Sequence, residues 1–138
     1  MKKAAFSLET FVFDKVFIDS DKYTGEKFKI DFNPSGTFYK SENKYELNLV
    51  FKALHDETDK ENFFVLVNCK ATFDFNEDTK EVGIPDYFYR NSIAIVYPFI
   101  RSFISSLTLQ ANVKLILLPT MNLSSLEAPL KENTTIIE

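Results

Sequence analysis

Residues 91–111 read NSIAIVYPFIRSFISSLTLQA. On a helical wheel Ile93, Val96, Tyr97, Ile100, Phe103, Ile104 and Leu107 fall on one face. Ile95 and Phe99 widen that face to an arc of about 200°, against the roughly 100° of an ordinary surface helix. The remaining side is nearly uncharged, with Ser102, Ser105, Thr108 and a single Arg101. Pro98 removes one helix hydrogen bond and is expected to bend the helix. A helix packed on one sheet hides one side, and this one has more than one side to hide. The stretch therefore predicts a long helix from about Asn91 to Ala111 whose second side is either crowded into a monomer core or, on the sharper reading, assembly surface covered by another subunit. Ile95, Phe99, Arg101, Ser102, Phe103 and Ser106 are the candidate interface residues.

Upstream of the helix the hydrophobic period is two rather than 3.6. Ala5–Asp19 (AFSLETFVFDKVFID) reads as a strand, with Phe6, Leu8, Val12, Val16 and Ile18 on one parity and Phe11, Phe13 and Phe17 on the other. A strand apolar on both sides is covered on both sides or lies at an interface. A polar connection, Ser20–Lys27, turns at Gly25. Phe28, Ile30 and Phe32 then alternate with Lys27, Lys29 and Asp31, and Asn33–Gly36 (NPSG) has the composition of a turn. Tyr45–His55 alternates again, Asp56–Glu61 (DETDKE) is a charged hairpin tip, and Phe63–Phe75 returns as the partner strand. Asn76–Val82 is a second charged loop, and Gly83 and Pro85 mark the change of period. After the helix, Leu115–Leu118 is a short extended stretch ending at Pro119. Asn122 or Ser124 can cap a short last helix through Leu126. Pro129 limits that helix, and Lys131–Glu138 is expected to be a frayed tail. The fold class expected is α+β: a four-stranded antiparallel sheet followed by one long helix and a short C-terminal helix. It forms a single domain over residues 1–138, with a core at 6–126 and a tail at 127–138.

The chain is 138 residues long, 45% hydrophobic and 26% charged, which suits one domain with its own core. Its 15 Phe and 6 Tyr are rings that fill a core or remain as contact surface. Its 16 basic residues are dispersed among 20 acidic ones, so no phosphate-binding stripe forms and nucleic acid is not an expected partner. One cysteine, Cys69, cannot build a disulfide framework, which points to a reducing cytoplasm. The start, MKKAAFSLETF, lacks the apolar run of a signal peptide. No stretch has the roughly 18 uninterrupted apolar residues of a membrane span, so no membrane insertion is expected.

The residue types that carry chemistry are sparse. His55, the one histidine, sits beside the charged hairpin tip as a solvated loop residue. Cys69 alternates with apolar neighbours as a small core residue. No second Cys or His stands at metal-ligand spacing, and Gly25, Gly36 and Gly83 are too far apart to cradle a phosphate. The acids Asp56, Glu57, Asp59, Glu61, Glu77, Asp78 and Glu81 lie in loop tips that lack the Gly of a calcium loop. No cofactor, no metal and no enzymatic activity are expected.

The order of parts resembles the SecB family of protein-export chaperones. Ile95–Leu123, IVYPFIRSFISSLTLQANVKLILLPTMNL, is similar to the family's I-L-F-P-Y-A-R-E helix and the L-x-L-x-P-x-N-F segment that follows it. Pro98, Arg101, Ile104 and Asn122 fall in register. Tyr45–Phe75 is similar to the family's Y-E-V-x-L strand and its partner, and Phe6–Asp19 to its first strand. Together these cover most of residues 6–126. Ala71 and Ala111 stand where the family has glycines, Asp14-Lys15 where Lys-Asp is usual, and Pro129 where the last helix usually continues. The resemblance implies a homotetramer, a dimer of dimers with the long helices between two sheets. It also implies ATP-independent holding of unfolded or preprotein chains in apolar grooves. Tyr23, Phe28, Leu123 and Leu126 are the candidate groove walls. In the family, acidic sheet residues and the C-terminal region engage the SecA motor, the part of the pattern that the altered positions touch. A SecB-like partner of a toxin–antitoxin system fits the same residues. A hot-dog thioesterase places its long helix amid the strands and needs a polar catalytic pair beside it. Here the helix follows the strands and bears no acid.

The mass in solution, measured by light scattering after size exclusion, will be that of a multimer, and a clean monomer contradicts the double-sided helix.

Overall fold

The computed structural model describes residues 5–76 and 83–138. The second charged loop, beyond Asn76, and the start MKKA lie outside the described residues. Five strands form one sheet in the order β1-β4-β3-β2-β5. They are β1 (Phe6–Ile18), β2 (Lys29–Tyr39), β3 (Lys44–Leu54), β4 (Phe63–Phe75) and β5 (Thr134–Ile137). Two helices follow β4: α1 (Tyr87–Gln110) and α2 (Glu127–Glu132). One-turn 3-10 segments lie at Ser20–Lys22 and Leu123–Leu126.

The sheet differs from the expected one in strand number and in sense. It is mixed, because β5 pairs in parallel with β2 while the other pairings are antiparallel. Lys131–Glu138 is therefore not a frayed tail. Its β-branched run TTII bonds to the β2 edge, a long-range pairing that local composition does not reveal. Asn33–Gly36 is not a turn either; β2 runs straight through it, with Pro34 opposite Leu49 and Gly36 opposite Leu47. Pro34 is tolerated because β5 covers β2 only from Gly36 onward, so no donor is required there. Gly36 is needed because the buried Tyr45 ring occupies the space a Cβ would take. The real reversal is at Ser41–Asn43, where Asn43 adopts φ 56° and its Nδ2 donates to Phe75 O and Asn76 O at 2.9 and 2.7 Å.

Two register shifts explain the mixed parity of β1. Glu9 and Asp14 are each an extra residue against β4, between Leu8 and Thr10 and between Phe13 and Lys15. Each bulge flips the alternation. Phe6 and Leu8, then Phe11 and Phe13, then Ile18 thus lie opposite the buried Phe75, Phe73, Ala71, Cys69 and Val65. Val12 and Phe17 are left on the outer face, both exposed.

Helix α1 covers the inner face. It starts earlier than the sequence suggested, at Tyr87, and continues through Pro98. Phe88 is its deepest anchor, fully buried, with ring centroids 4.6 Å from Tyr45, 4.8 Å from Phe6 and 4.9 Å from Phe75. Ile93, Val96, Tyr97, Ile100 and Ile104 continue the buried stripe. By length and mean hydropathy, 1.4 over its most apolar window, α1 could cross a membrane. In this fold its buried side lies on the sheet.

Cys69 is a buried core residue of β4. Burial, with the nearby Asp14 charge adding to it, pushes its thiol from 9.0 up to about 11. Burial also raises the Tyr45 phenol. An unfolded thiol loses its proton near pH 9, so between about pH 9 and 11 the unfolded chain sheds protons that the folded chain still holds. Stability is then lost as pH rises through that window and is fully present below it. Cys69 will be unreactive to Ellman's reagent at pH 8 until urea passes the unfolding midpoint, and that midpoint will be lower at pH 10 than at pH 8. Rapid labelling of the folded protein at pH 8 contradicts this.

Candidate functional site

The Ser20–Lys27 connection arches from β1 to β2, and what holds it down is His55. The Thr24 N–H donates to His55 Nε2 at 3.1 Å, and His55 Nδ1 lies 3.0 Å from Lys27 O. The imidazole closes a triangle of rings, 5.4 Å from Tyr23 and 5.1 Å from Phe64, which are themselves 5.1 Å apart. His55 is therefore not a solvated loop residue. It is the pin of the connection, a role invisible in sequence because its partners lie some thirty positions away.

Beneath the pinned connection lies an open cleft of about 260 Å³, lined by Ile18, Tyr23, Phe64, Val65 and Val113, with Lys114 at its rim. A hollow of about 400 Å³ adjoins it and shares Tyr23 and Lys114, with Phe28 and Gly25 as further walls. The far wall comes from the segment leaving α1. Asn112, at φ 57°, turns the chain out of the helix. Thr108 then ties the returning chain down: its Oγ1 donates to Ile104 O at 2.8 Å and accepts from Ile116 N at 3.1 Å. Tyr97 Oη donates to Pro119 O at 2.6 Å. Held at these two points, the extended segment buries Ile116 and Leu118 and turns Leu115 and Leu117 out, Leu117 at 69% exposure. An apolar track thus continues from the cleft through Val113 to Leu115 and Leu117.

Of the four candidate groove walls, Tyr23 and Phe28 stand together here. Leu123 and Leu126 do not; they sit half-buried on the core in the later 3-10 turn. Asn122 caps that turn, its Oδ1 accepting from Ser124 N at 3.1 Å. The residues missed were Phe64, Ile18 and Val113. Phe64 is on the opposite parity from the β4 core row, and that was the available signal.

A second apolar surface lies on α1. Ile95 and Phe99 are 37% and 42% exposed, and Arg101, Ser102 and Ser106 are exposed beside them. Phe103 is half-buried, stacked on Phe13 at 4.0 Å, and Phe99 stacks on Phe11 at 4.5 Å. Asn91, Ala94 and Ile95 line a shallow apolar hollow with Phe6 and Tyr87. This face is continuous with the outer edge of β1, which pairs with no further strand among the described residues. Among these residues no group of three or more His, Cys, Asp and Glu side chains could hold a metal.

With this geometry in hand, the chain has a SecB-like fold: one sheet, one long helix and a short C-terminal helix. The solved Mycobacterium tuberculosis Rv1957 SecB-like chaperone, in complex with a ChAD peptide from the Rv1956 HigA1 antitoxin, superposes with a TM-score of 0.57. The identity is 13%, covering 86% of this chain and 91% of that one. A protein of unknown function from Streptococcus agalactiae matches with a TM-score of 0.41 and 9% identity, over 83% of this chain and 97% of that one. No family model matches the chain, and no curated protein matches it in sequence.

The pin can be tested directly. His55→Leu removes two hydrogen bonds to the connection, each contributing roughly 0.5–1.5 kcal/mol. Trypsin cleavage after Lys22 and Lys27 will accelerate, while amide exchange in β3 and β4 changes little. Unaltered cleavage would show that the connection is held by other contacts.

Proposed function

We propose that this chain binds extended or unfolded polypeptide segments without nucleotide, as a SecB-like holdase, and performs no catalysis. The observation that carries the reading is the apolar track from Tyr23 and Val113 to Leu115 and Leu117. It joins a cleft to exposed aliphatic side chains that a folded monomer has no use for. The SecB-like fold supports it, as does the polypeptide, an antitoxin peptide, bound to the mycobacterial chaperone of that fold.

Binding would come from apolar burial, at about 25 cal/mol per Å² before the entropy of ordering the client is subtracted. Such burial is non-directional, which suits weak, sequence-tolerant contacts summed along a chain. The α1 face and the β1 edge are assigned to self-association in a dimer of dimers, which would leave the track, on the other flank of the helix, open to clients. SecA is left out of the proposal. On the sheet's outer face Lys44 pairs with both Glu9 and Asp74, at 2.8 and 3.4 Å, and Lys70 with Asp14 at 3.7 Å, which offsets part of the acidic charge there.

A second reading, a dedicated partner of an antitoxin-like segment, is favoured by the same bound peptide. It shares the site and differs in selectivity. The cytoplasm is the proposed compartment for either.

A several-fold excess of the protein will suppress light scattering by a client diluted from denaturant, with no ATP present, and Tyr23→Ser will weaken the effect several-fold. Absence of suppression at that excess would sink the holdase reading. Suppression confined to one client would favour the dedicated partner.

A further inference from the structure

The edge of β2 is filled by the chain's own last strand. β5 has four residues and enters in parallel beside an otherwise antiparallel sheet. Thr134 is half-buried, while Thr135, Ile136 and Ile137 are exposed, Ile136 at 57%. Side-chain burial therefore contributes little to holding the strand. Main-chain bonds hold it instead: Gly36 N–H donates to Asn133 O at 3.2 Å, and Lys40 N–H to Ile137 O at 2.9 Å.

Side-chain contacts add to these: Asn133 Nδ2 donates to Pro34 O at 3.4 Å, Lys40 Nζ lies 3.5 Å from the Glu138 carboxylate, and Thr134 meets Tyr45. The Thr134 hydroxyl donates to Leu130 O at 2.7 Å, which leaves it as the acceptor for Tyr45 Oη at 2.6 Å. The Tyr45 ring is fully buried and lies under Gly36, the residue paired with Thr134. The phenol can reach an outside partner only across this bare stretch of β2. A strand laid here has to bring a hydroxyl or another acceptor to that point, or leave a buried O–H unpaired. The β-branched residues that follow favour extended backbone without needing to be buried.

We propose that the β2 edge at Gly36–Tyr39 is a strand-exchange site for a partner polypeptide, closed in this structure by β5. It takes an extended segment parallel to β2, with Ser or Thr over Tyr45 and β-branched residues after it. The chain's own segment, NTTIIE, serves as the template for that ligand. The inference rests on the polypeptide-binding reading above and adds to it a second, main-chain mode of capture.

The test is amide hydrogen exchange at Gly36 and Lys40 in the full chain. Thr134→Val, which removes only the hydroxyl, will speed exchange there at least tenfold and leave α1 unchanged. Millimolar NTTIIE peptide will restore the protection, and NVTIIE will not. Amides that stay as protected as in the natural chain overturn the proposal, as does absent rescue or equal rescue by the two peptides. Should Thr134→Val fail to fold, Thr135→Gly/Ile136→Gly loosens the same strand without touching Tyr45 and enters the same rescue. Failure of the scattering assay would remove the holdase reading alone, whereas failure of the rescue removes strand exchange alone.

Discussion

The seating of the long helix depends on two residues that never touch it. Glu9 and Asp14 are surplus in β1, and each turns the strand by one position so that the next pair of apolar side chains again faces inward. Without the first bulge, Phe11 and Phe13 would point to the outer face, and the stacks on Phe99 and Phe103 would be lost. Both surplus residues are acidic, and both are held on the outer face. Glu9 is bound by Lys44, and Asp14 accepts from Asn68 Nδ2 at 2.7 Å. The polar face of the sheet thus fixes the register that the apolar face requires. A slipped register would move every aromatic of this strand to the wrong side.

The same outer face carries an imperfection. Asn68 is 4% exposed and donates to both Asp14 and Asn48, yet its Oδ1 has no hydrogen-bond partner among the described residues. A buried amide oxygen left unpaired costs on the order of 1–3 kcal/mol. The cost falls at the bulge, where the bond donated to Asp14 holds the extra residue and the one to Asn48 ties the amide to β3. Register is kept at the expense of one unsatisfied acceptor.

How much of this could be read from the chain follows from where each signal is stored. β3 and β4 were legible because one face of each is more deeply buried than the other, so Tyr45 to Ala53 and Cys69 to Phe75 alternate as the pleat does, while Phe64 and Asn68 are buried on the other row of β4. The buried stripe of α1 was legible for the same reason at the helical period. β1 yielded its length and its apolar excess but not its direction, because a bulge is defined only against the partner strand. NPSG has turn chemistry locally and is strand because Tyr45, from the next strand, fills the space above Gly36. β5 is four residues whose extended state is held by β2 and by Tyr45 rather than by any pattern of their own. At the candidate site, Tyr23 and Phe28 were visible as aromatics on a polar connection. Phe64 and Val113 become neighbours of Tyr23 only when β4 and the end of α1 are folded beside it, and His55 becomes a pin only then.

The two ends of the sheet solve the problem of an open edge in different ways. The β1 end is long, twice bulged and backed by aromatics and a helix face on which Arg101 is exposed. Its exposed side chains are mixed, Val12, Val16 and Phe17 beside Ser7, Glu9, Thr10 and Lys15, so what would bury it is a large area rather than a particular group, and a second copy of the same surface supplies such area by symmetry. At the other end β2 has eleven residues, and a four-residue strand whose own side chains are mostly wet covers only Gly36–Tyr39. What it demands is backbone geometry and one hydroxyl above Tyr45. Selectivity from a hydrogen bond to a buried phenol is sharper than selectivity from apolar area, because the wrong occupant leaves a desolvated donor unpaired whereas a poorly fitting apolar one merely gains less. On the proposed reading, the chain therefore has an edge suited to permanent assembly, a cleft suited to tolerant apolar contact, and a second edge suited to discrimination.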